Sequence, residues 1–195
     1  DAIAYLKDNH HTVLLTTNGT KLNELFQDIR DVSQILWTWR PEAKFTEKTK
    51  EELKKWGKFR VRFVEEITPK EAYEEWKGWP NQESRSIRNY GGEIDITKFG
   101  ASSQKAMSRW PCYHLWLAPA VAWNGNILIC CSDPHQKEVI GKFPKMSIAE
   151  AWNSEYLEKI RKSHLEGNYG GICEKCDVWK AYPDLFYNFQ RLKSS

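Results

Sequence analysis

The chemistry of this chain is concentrated in its cysteines, which stand at positions 112, 130, 131, 173 and 176, with none in the first 111 residues. A CxxC at the mouth of a turn brings two thiolates onto one centre, because two intervening residues let both sulfurs face the same point. Cys173-Glu-Lys-Cys176 is such a pair and follows a Gly170-Gly171 turn. Cys130 comes five residues after Gly125, in an Asn124-Gly125 turn signal, and a hairpin there returns Cys130 toward Cys112. Four thiolates from two distant pairs make a closed, soft-ligand site. That donor set suits an iron–sulfur centre or a structural zinc. Cys131 points away from Cys130 if the segment is a strand, and is expected to be no ligand. Two disulfides would fit a secreted protein, but the cysteine count is odd and no export signal is visible. A redox CxxC requires a strand-to-helix setting that Gly170-Gly171 does not supply.

These residues must be positioned by regular elements, and two rhythms are present. Residues 1–80 alternate short apolar runs with amphipathic stretches. Thr12–Thr17, Ser33–Thr38 and Phe59–Val64 read as strands. Leu22, Leu25, Phe26 and Ile29 repeat at helical spacing. Residues 46–56 form a charged helix whose alternating Lys and Glu mark a solvated face. Thr68-Pro-Lys-Glu71 reads as a capping box opening a helix over 69–77. Strand and helix in alternation predict a parallel sheet whose C-terminal strand ends, at Thr16–Gly19, Thr38–Arg40 and Glu65–Ile67, bind ligands. Residues 81–107 read as a linker or a last segment of that α/β unit. From 108 to 182 a small α+β domain is expected: a hairpin of Leu115–Trp123 with Ile127–Cys131, then helices capped by Ser147 and Ser154. The second of these sets Tyr156, Leu157, Ile160 and His164 on one face. Residues 183–195 form a C-terminal tail.

Composition bounds the function classes. The 195 residues are 41% hydrophobic and 28% charged, enough for a sizeable core. The ten Trp suit both core and cavity walls. A net charge of +3 is too balanced for a nucleic-acid partner. No stretch approaches the ~18 apolar residues of a membrane span, and the expected setting is cytoplasmic. The chain opens at Asp1, with no initiator Met, straight into a helix-like stretch. It is therefore expected to be an N-terminally truncated fragment.

Several separated elements carry a family resemblance. Cys112, twelve residues, Gly125, four residues and Cys130 come first; then Cys131-Ser-Asp133, Ile140-Gly-Lys142, Ser147-Ile-Ala-Glu-Ala-Trp152 and Cys173-x-x-Cys176. In order and spacing this resembles the SPASM/twitch domain, the C-terminal extension of many radical SAM enzymes. The first region is similar to the later half of a radical SAM partial barrel, with Thr17-Asn18-Gly19 resembling its third-strand motif. The full SPASM pattern has further cysteines after the CxxC and binds two clusters. No cysteine follows Cys176 here, so the chain resembles the single-cluster twitch form. The CxxxCxxC motif of the SAM-cleaving cluster is absent, and Gly91-Gly92-Glu93 lies far downstream of that family's Gly-Gly-Glu, reading instead as a loop turn.

The resemblance implies a parent enzyme with a second 4Fe-4S cluster and S-adenosyl-L-methionine. It implies an electron donor such as flavodoxin or ferredoxin, and radical modification or oxidation of a peptide, protein or small molecule. The fragment alone is expected to be inactive. Cys112, Cys130, Cys173 and Cys176 would hold the auxiliary cluster, while Asn18 and Thr38 would lie on the SAM side. Asp133, with His135 beside it, is the candidate proton acceptor, against a plain loop reading of Ser-Asp-Pro-His. Arg85, Arg88 and Tyr90 are candidates to reach the substrate. The competing class is a non-catalytic, zinc-binding recognition module.

Overall fold

The computed structural model describes residues 2–101 and 109–181. The expected tail at 183–195 lies outside the described residues. The chain divides between Ile87 and Arg88 into two compact units.

The first unit opens with α1 (Ala2–Asp8). It continues through β1 (Leu14–Thr17), α2 (Leu22–Ile29), β2 (Gln34–Thr38), α3 (Glu47–Trp56), β3 (Phe59–Val64), α4 (Lys70–Glu75) and β4 (Gln82–Arg85). The strands pair in parallel in chain order, β1-β2-β3-β4, which is the expected α/β class. Helix ends are set locally. The Thr46 hydroxyl accepts from Thr49 N at 3.1 Å, and Gly57, at φ 75°, closes the other end of α3. The capping box at Thr68 does not form. Pro69 takes the N-cap position, and the Thr68 hydroxyl instead accepts from Val64 N at 2.9 Å, tying the helix approach to the end of β3.

Alternation along the strands sorts the two sheet faces. Ile35, Trp37, Phe59, Val61 and Phe63 are buried with Leu22, Phe26, Leu53, Ala72 and Trp76 from the helices. Five of the ten tryptophans, Trp37, Trp39, Trp56, Trp76 and Trp79, belong to this core or pack against it. The opposite face carries the in-register pairs Leu36–Arg60, Thr38–Arg62, Arg62–Glu83 and Val64–Arg85. Gly19 is required where β1 turns into α2. Its φ is 83°, and a Cβ there would sit 2.4 Å from Trp37 Nε1, which donates to Asn18 O at 2.9 Å. The fourth strand lies at the start of the segment read as a linker or a last segment of the α/β unit. Gln82-Glu-Ser-Arg85 has no apolar alternation to mark it, and its ladder to β3 supplies the order instead.

The second unit holds α5 (His114–Leu117), β5 (Ala120–Val121), β6 (Asn126–Leu128), β7 (Val139–Lys142), α6 (Ile148–Trp152) and α7 (Glu155–Leu165). Strands β5, β6 and β7 form an antiparallel sheet. The hairpin turns at Asn124-Gly125 as expected, with Gly125 at φ 85°, but its first arm is shorter: Leu115–Leu117 is helix. Ser147 closes a full capping box with Glu150, and the Ser154 hydroxyl accepts from Leu157 N. On α7 the buried face is Leu157, Arg161 and His164, whereas Tyr156 is exposed. Tyr156 gives its hydroxyl proton to Glu138 at the surface, and Arg161 goes inward because its guanidinium finds carbonyls there.

Candidate metal centre

Each of the four ligand candidates is placed by a different local device. Cys112 sits just ahead of α5, with Leu115 N donating to its carbonyl. Cys130 follows β6, where Ile129 N still reaches Glu138 O and extends the ladder. A 3₁₀ turn over Gly171–Cys173 presents Cys173, and Cys176 N bonds back to Cys173 O at 3.3 Å, closing the CxxC loop. Cys112, Cys130, Cys173 and Cys176 line one cavity, together with Arg109, His114, Leu115, Ile172, Val178 and Trp179. Cys131 is exposed and does not line that cavity.

The electrostatics of the thiols indicate what the cavity suits. Burial pushes the Cys112 thiol up to about 11 and Cys173 up to about 12, with the neighbouring sulfurs adding to both, and it raises Cys176 as well. Cys130 is raised by its hydrogen bond with Cys131 and by burial. That same bond draws Cys131 down to about 6. Four thiols in one cavity, two buried and two half-buried, cannot carry four negative charges among themselves, and a bound cationic centre is the species that would let them ionise. Backbone N–H groups already point at three of the sulfurs. Ser132 N donates to Cys130 Sγ at 3.3 Å, His114 to Cys112, and Gly91 and Val178 to Cys176. The residues therefore fit a thiolate-ligated metal.

The sulfurs are spread more widely than a single ion needs. Zinc–sulfur bonds of about 2.3 Å place tetrahedral sulfurs roughly 3.8 Å apart. Among the described residues, the His, Cys, Asp or Glu set whose ligand atoms all lie within 4.8 Å of one another is His114, Cys130 and Cys131, not three of the four cavity cysteines. The triad draws on the exposed Cys131, whose sulfur meets that of Cys130 rather than pointing away from it, whereas the cavity is lined by the other four cysteines.

Three features of the surroundings were not legible in the sequence. Arg109 donates to the carbonyls of Cys173 and Glu174, stacks 4.1 Å from the Tyr169 ring centroid, and leaves a buried Nε without a partner. His164 is 2% exposed and accepts from Cys112 N through Nδ1, at 3.4 Å; burial and the Arg109 charge push it down to about 4, so it stays neutral. Asn89 takes Asp177 N on its side-chain oxygen, sends its own N–H to the Asp177 carboxylate, and donates to Lys175 O at 2.6 Å. This clamp fastens the Tyr90-Gly91-Gly92 turn onto the CxxC loop, where a Cβ on Gly92 would meet Lys175 Cβ at 2.8 Å. The only sequence signal for it was the Gly-Gly pair, which reads equally as a loop.

The remaining candidates fall elsewhere. Asn18 is exposed, and its side-chain oxygen accepts from both N and Oγ1 of Thr20, closing the turn after β1. Thr38 is buried at the end of β2. Asp133 is 3% exposed and accepts from Glu138 N at 2.8 Å, which holds its own loop shut. His135 lies at the surface beside Glu93.

Comparison with known proteins agrees with this geometry. Residues 112–177 match the SPASM family, described as an iron-sulfur cluster-binding domain. An uncharacterized protein of Treponema pallidum (strain Nichols) is 27% identical over 79 residues, which are 39% of this chain and 21% of that protein. The structure of BtrN in complex with AdoMet and 2-DOIA superposes with a TM-score of 0.59 at 19% identity, covering 90% of this chain and 64% of that one. Selenomethionine BtrN in an open conformation gives 0.49 at 15% identity, covering 90% and 76%. The matched stretch thus spans about a fifth of the curated relative, and the chain just under two thirds of the BtrN structure in complex. Fold and cysteine site together define an α/β unit followed by a SPASM iron–sulfur cluster-binding domain. Residues 112–177 match that cluster-binding domain, and the fold of the chain is similar to that of BtrN.

Proposed function

We propose that Cys112, Cys130, Cys173 and Cys176 hold an auxiliary 4Fe-4S cluster in a radical SAM enzyme. The cluster would assist the radical modification or oxidation of a peptide, protein or small molecule. The observation that carries this reading is the convergence of these four cysteines on one cavity from which Cys131 is excluded. A cluster bound there supplies a one-electron acceptor with no open coordination position. The chain's own groups prepare the site. The thiols bind, the backbone N–H groups of Gly91, Ser132 and Val178 offset charge on the sulfurs, and Leu115, Ile172 and Trp179 keep water from them. The wide sulfur spacing favours the cluster over the zinc-module alternative.

The same proposal extends to the whole radical SAM enzyme. S-adenosyl-L-methionine would bind at the C-terminal strand ends near Asn18 and Thr38, and BtrN, whose structure holds AdoMet, supports that direction. A second 4Fe-4S cluster and an electron donor such as flavodoxin or ferredoxin complete the scheme, in the reducing cytoplasm that five free cysteines suit. Asp133 is the candidate proton acceptor for an oxidised substrate radical, a role that requires its carboxylate to give up the bond from Glu138 N. No helix of the described residues is long and apolar enough to cross a membrane.

Anaerobic reconstitution tests the reading. About four irons per chain with broad absorption near about 400 nm are expected. Serine at any of positions 112, 130, 173 or 176 should lose most of that iron, and C131S should keep it. A colourless protein with one zinc, or iron that depends on Cys131, would overturn the assignment.

A further inference from the structure

The face of the first unit's sheet that turns away from its helices is polar and positively charged. Arg60 and Arg62 stand two apart on β3, and Glu83 is the register partner of Arg62 on β4. Arg85 follows Glu83 on the same face, in register with Val64. Glu83 sits between the first two arginines, accepting from Arg60 Nη1 at 3.0 Å on one oxygen and from Arg62 Nε on the other. Burial opposes the Glu83 charge, but the two guanidinium groups outweigh it and hold its carboxyl below the usual range. One carboxylate therefore stands among three guanidinium groups and answers two of them.

Arg85 is the unanswered one. Its Nε is buried without a hydrogen-bond partner, and among the described residues its side chain makes no ion pair. The carboxylates that follow β3, where Glu65 N donates to Arg85 O at 3.0 Å, are engaged elsewhere: Glu65 accepts from Ser86 Oγ at 3.3 Å, and Glu66 from Ile87 N at 2.7 Å. A half-buried guanidinium with unmet donors costs free energy that an anion would recover. Its planar fork matches the paired oxygens of carboxylate or phosphate. The place is also right for a ligand. Parallel sheets normally have both faces covered, and Arg85 ends β4 while Arg62 pairs with Thr38 at the end of β2, so the cluster lies toward the C-terminal strand ends.

We propose that Arg62 and Arg85, with Arg60 and Glu83 fixing Arg62, form an oxyanion-binding site that receives a carboxylate or phosphate group of the substrate. Glu83 acts as a positioning residue that orients the Arg62 fork and leaves its Nη groups free. The substrate is accordingly anionic where it meets the α/β unit. The word substrate rests on the function proposed above; the binding of an oxyanion does not.

The test uses the full chain with ¹⁵N-labelled arginine, following the Nε–H signals by NMR at constant ionic strength while inorganic phosphate replaces chloride. Arg62 and Arg85 should shift saturably, while the exposed Arg30 and Arg40 drift without saturating. R85M should abolish the saturable shift of Arg62, and R85K should weaken it severalfold while keeping it. R40M is the folding-neutral control. A parallel titration with acetate separates the sources: saturation by phosphate alone marks a phosphorylated substrate, and saturation by acetate a carboxylate one. Two outcomes overturn the proposal. In the first, Arg62 and Arg85 drift as Arg30 and Arg40 do, which is an adventitious ion only. In the second, S-adenosyl-L-methionine displaces phosphate, which hands the site to that molecule's own carboxylate. The measurement needs no iron, so its failure and a failure of the cluster assignment are told apart.

Discussion

At the scale of single residues, Arg109 is the side chain most able to change what the cysteine site does without being one of its ligands. It lines the cavity, is fixed by the carbonyls of Cys173 and Glu174, and keeps a buried, unpaired Nε beside the sulfurs. A fixed positive charge at such a place favours the reduced, more negative state of a bound cluster. Replacing Arg109 with Met should lower the cluster's midpoint potential by about 60 mV, a tenfold change in a one-electron equilibrium. R109K should fall between the two. A redox titration followed by electron paramagnetic resonance measures this directly, and the iron content of each variant shows whether the site itself survived. Arg109 did not stand out in the sequence, since an isolated Arg gives no spacing to read, and helical spacing put His164 on a packed face without linking it to the cysteines. The cysteines did stand out, because a CxxC fixes its own geometry locally.

Among the elements, the junction of α5 and α7 depends on one buried cation. Arg161 is 7% exposed, donates to Leu115 O at 2.9 Å and Trp152 O at 3.2 Å, pairs with Glu158, and lies 4.4 Å from the Trp152 ring centroid. R161M fills similar volume but leaves both carbonyls unmet, at a cost of about 2–3 kcal/mol. Thermal or urea unfolding of the second unit should show the loss. The β3–β4 pair offers a prediction in pH. Glu83 is held below its ordinary value of 4.5 in the folded state, so the unfolded chain binds the proton more readily. Its contribution is therefore complete above that value and disappears as pH falls through the lower, folded one. The melting temperatures of wild type and E83Q, measured from pH 6 down to pH 3, should converge at the acid end. Periodicity made most of this unit legible: the runs at 14–17, 34–38 and 59–64 are apolar enough to mark strands by themselves. Strand β4 is not, because its residues Gln, Glu, Ser and Arg earn their place through pairing with β3 and ionic contacts to Arg60 and Arg62. Leu115–Leu117 misleads for the opposite reason, since a short apolar run suits helix and strand equally.

For the whole molecule, the division between Ile87 and Arg88 has a thermodynamic counterpart. All four proposed ligands belong to the second unit, so metal binding stabilises that unit and leaves the first to its own core of Trp37, Phe59 and Trp76. Removing iron with a chelator should shift the unfolding of the second unit to lower temperature while the transition of the first stays in place. Differential scanning calorimetry of loaded and stripped protein would resolve the two. Within the second unit, the clamp from Asn89 to Lys175 and Asp177 bears on kinetics as well as on geometry. The CxxC loop cannot peel back until that clamp lets go, and Gly91 must leave the Cys176 sulfur at the same moment. How long the centre persists is then governed by how often residues 89–92 breathe, more than by the strength of any one bond between sulfur and metal. The exchange of the Asn89 amide hydrogen with solvent would serve as the clock for that event.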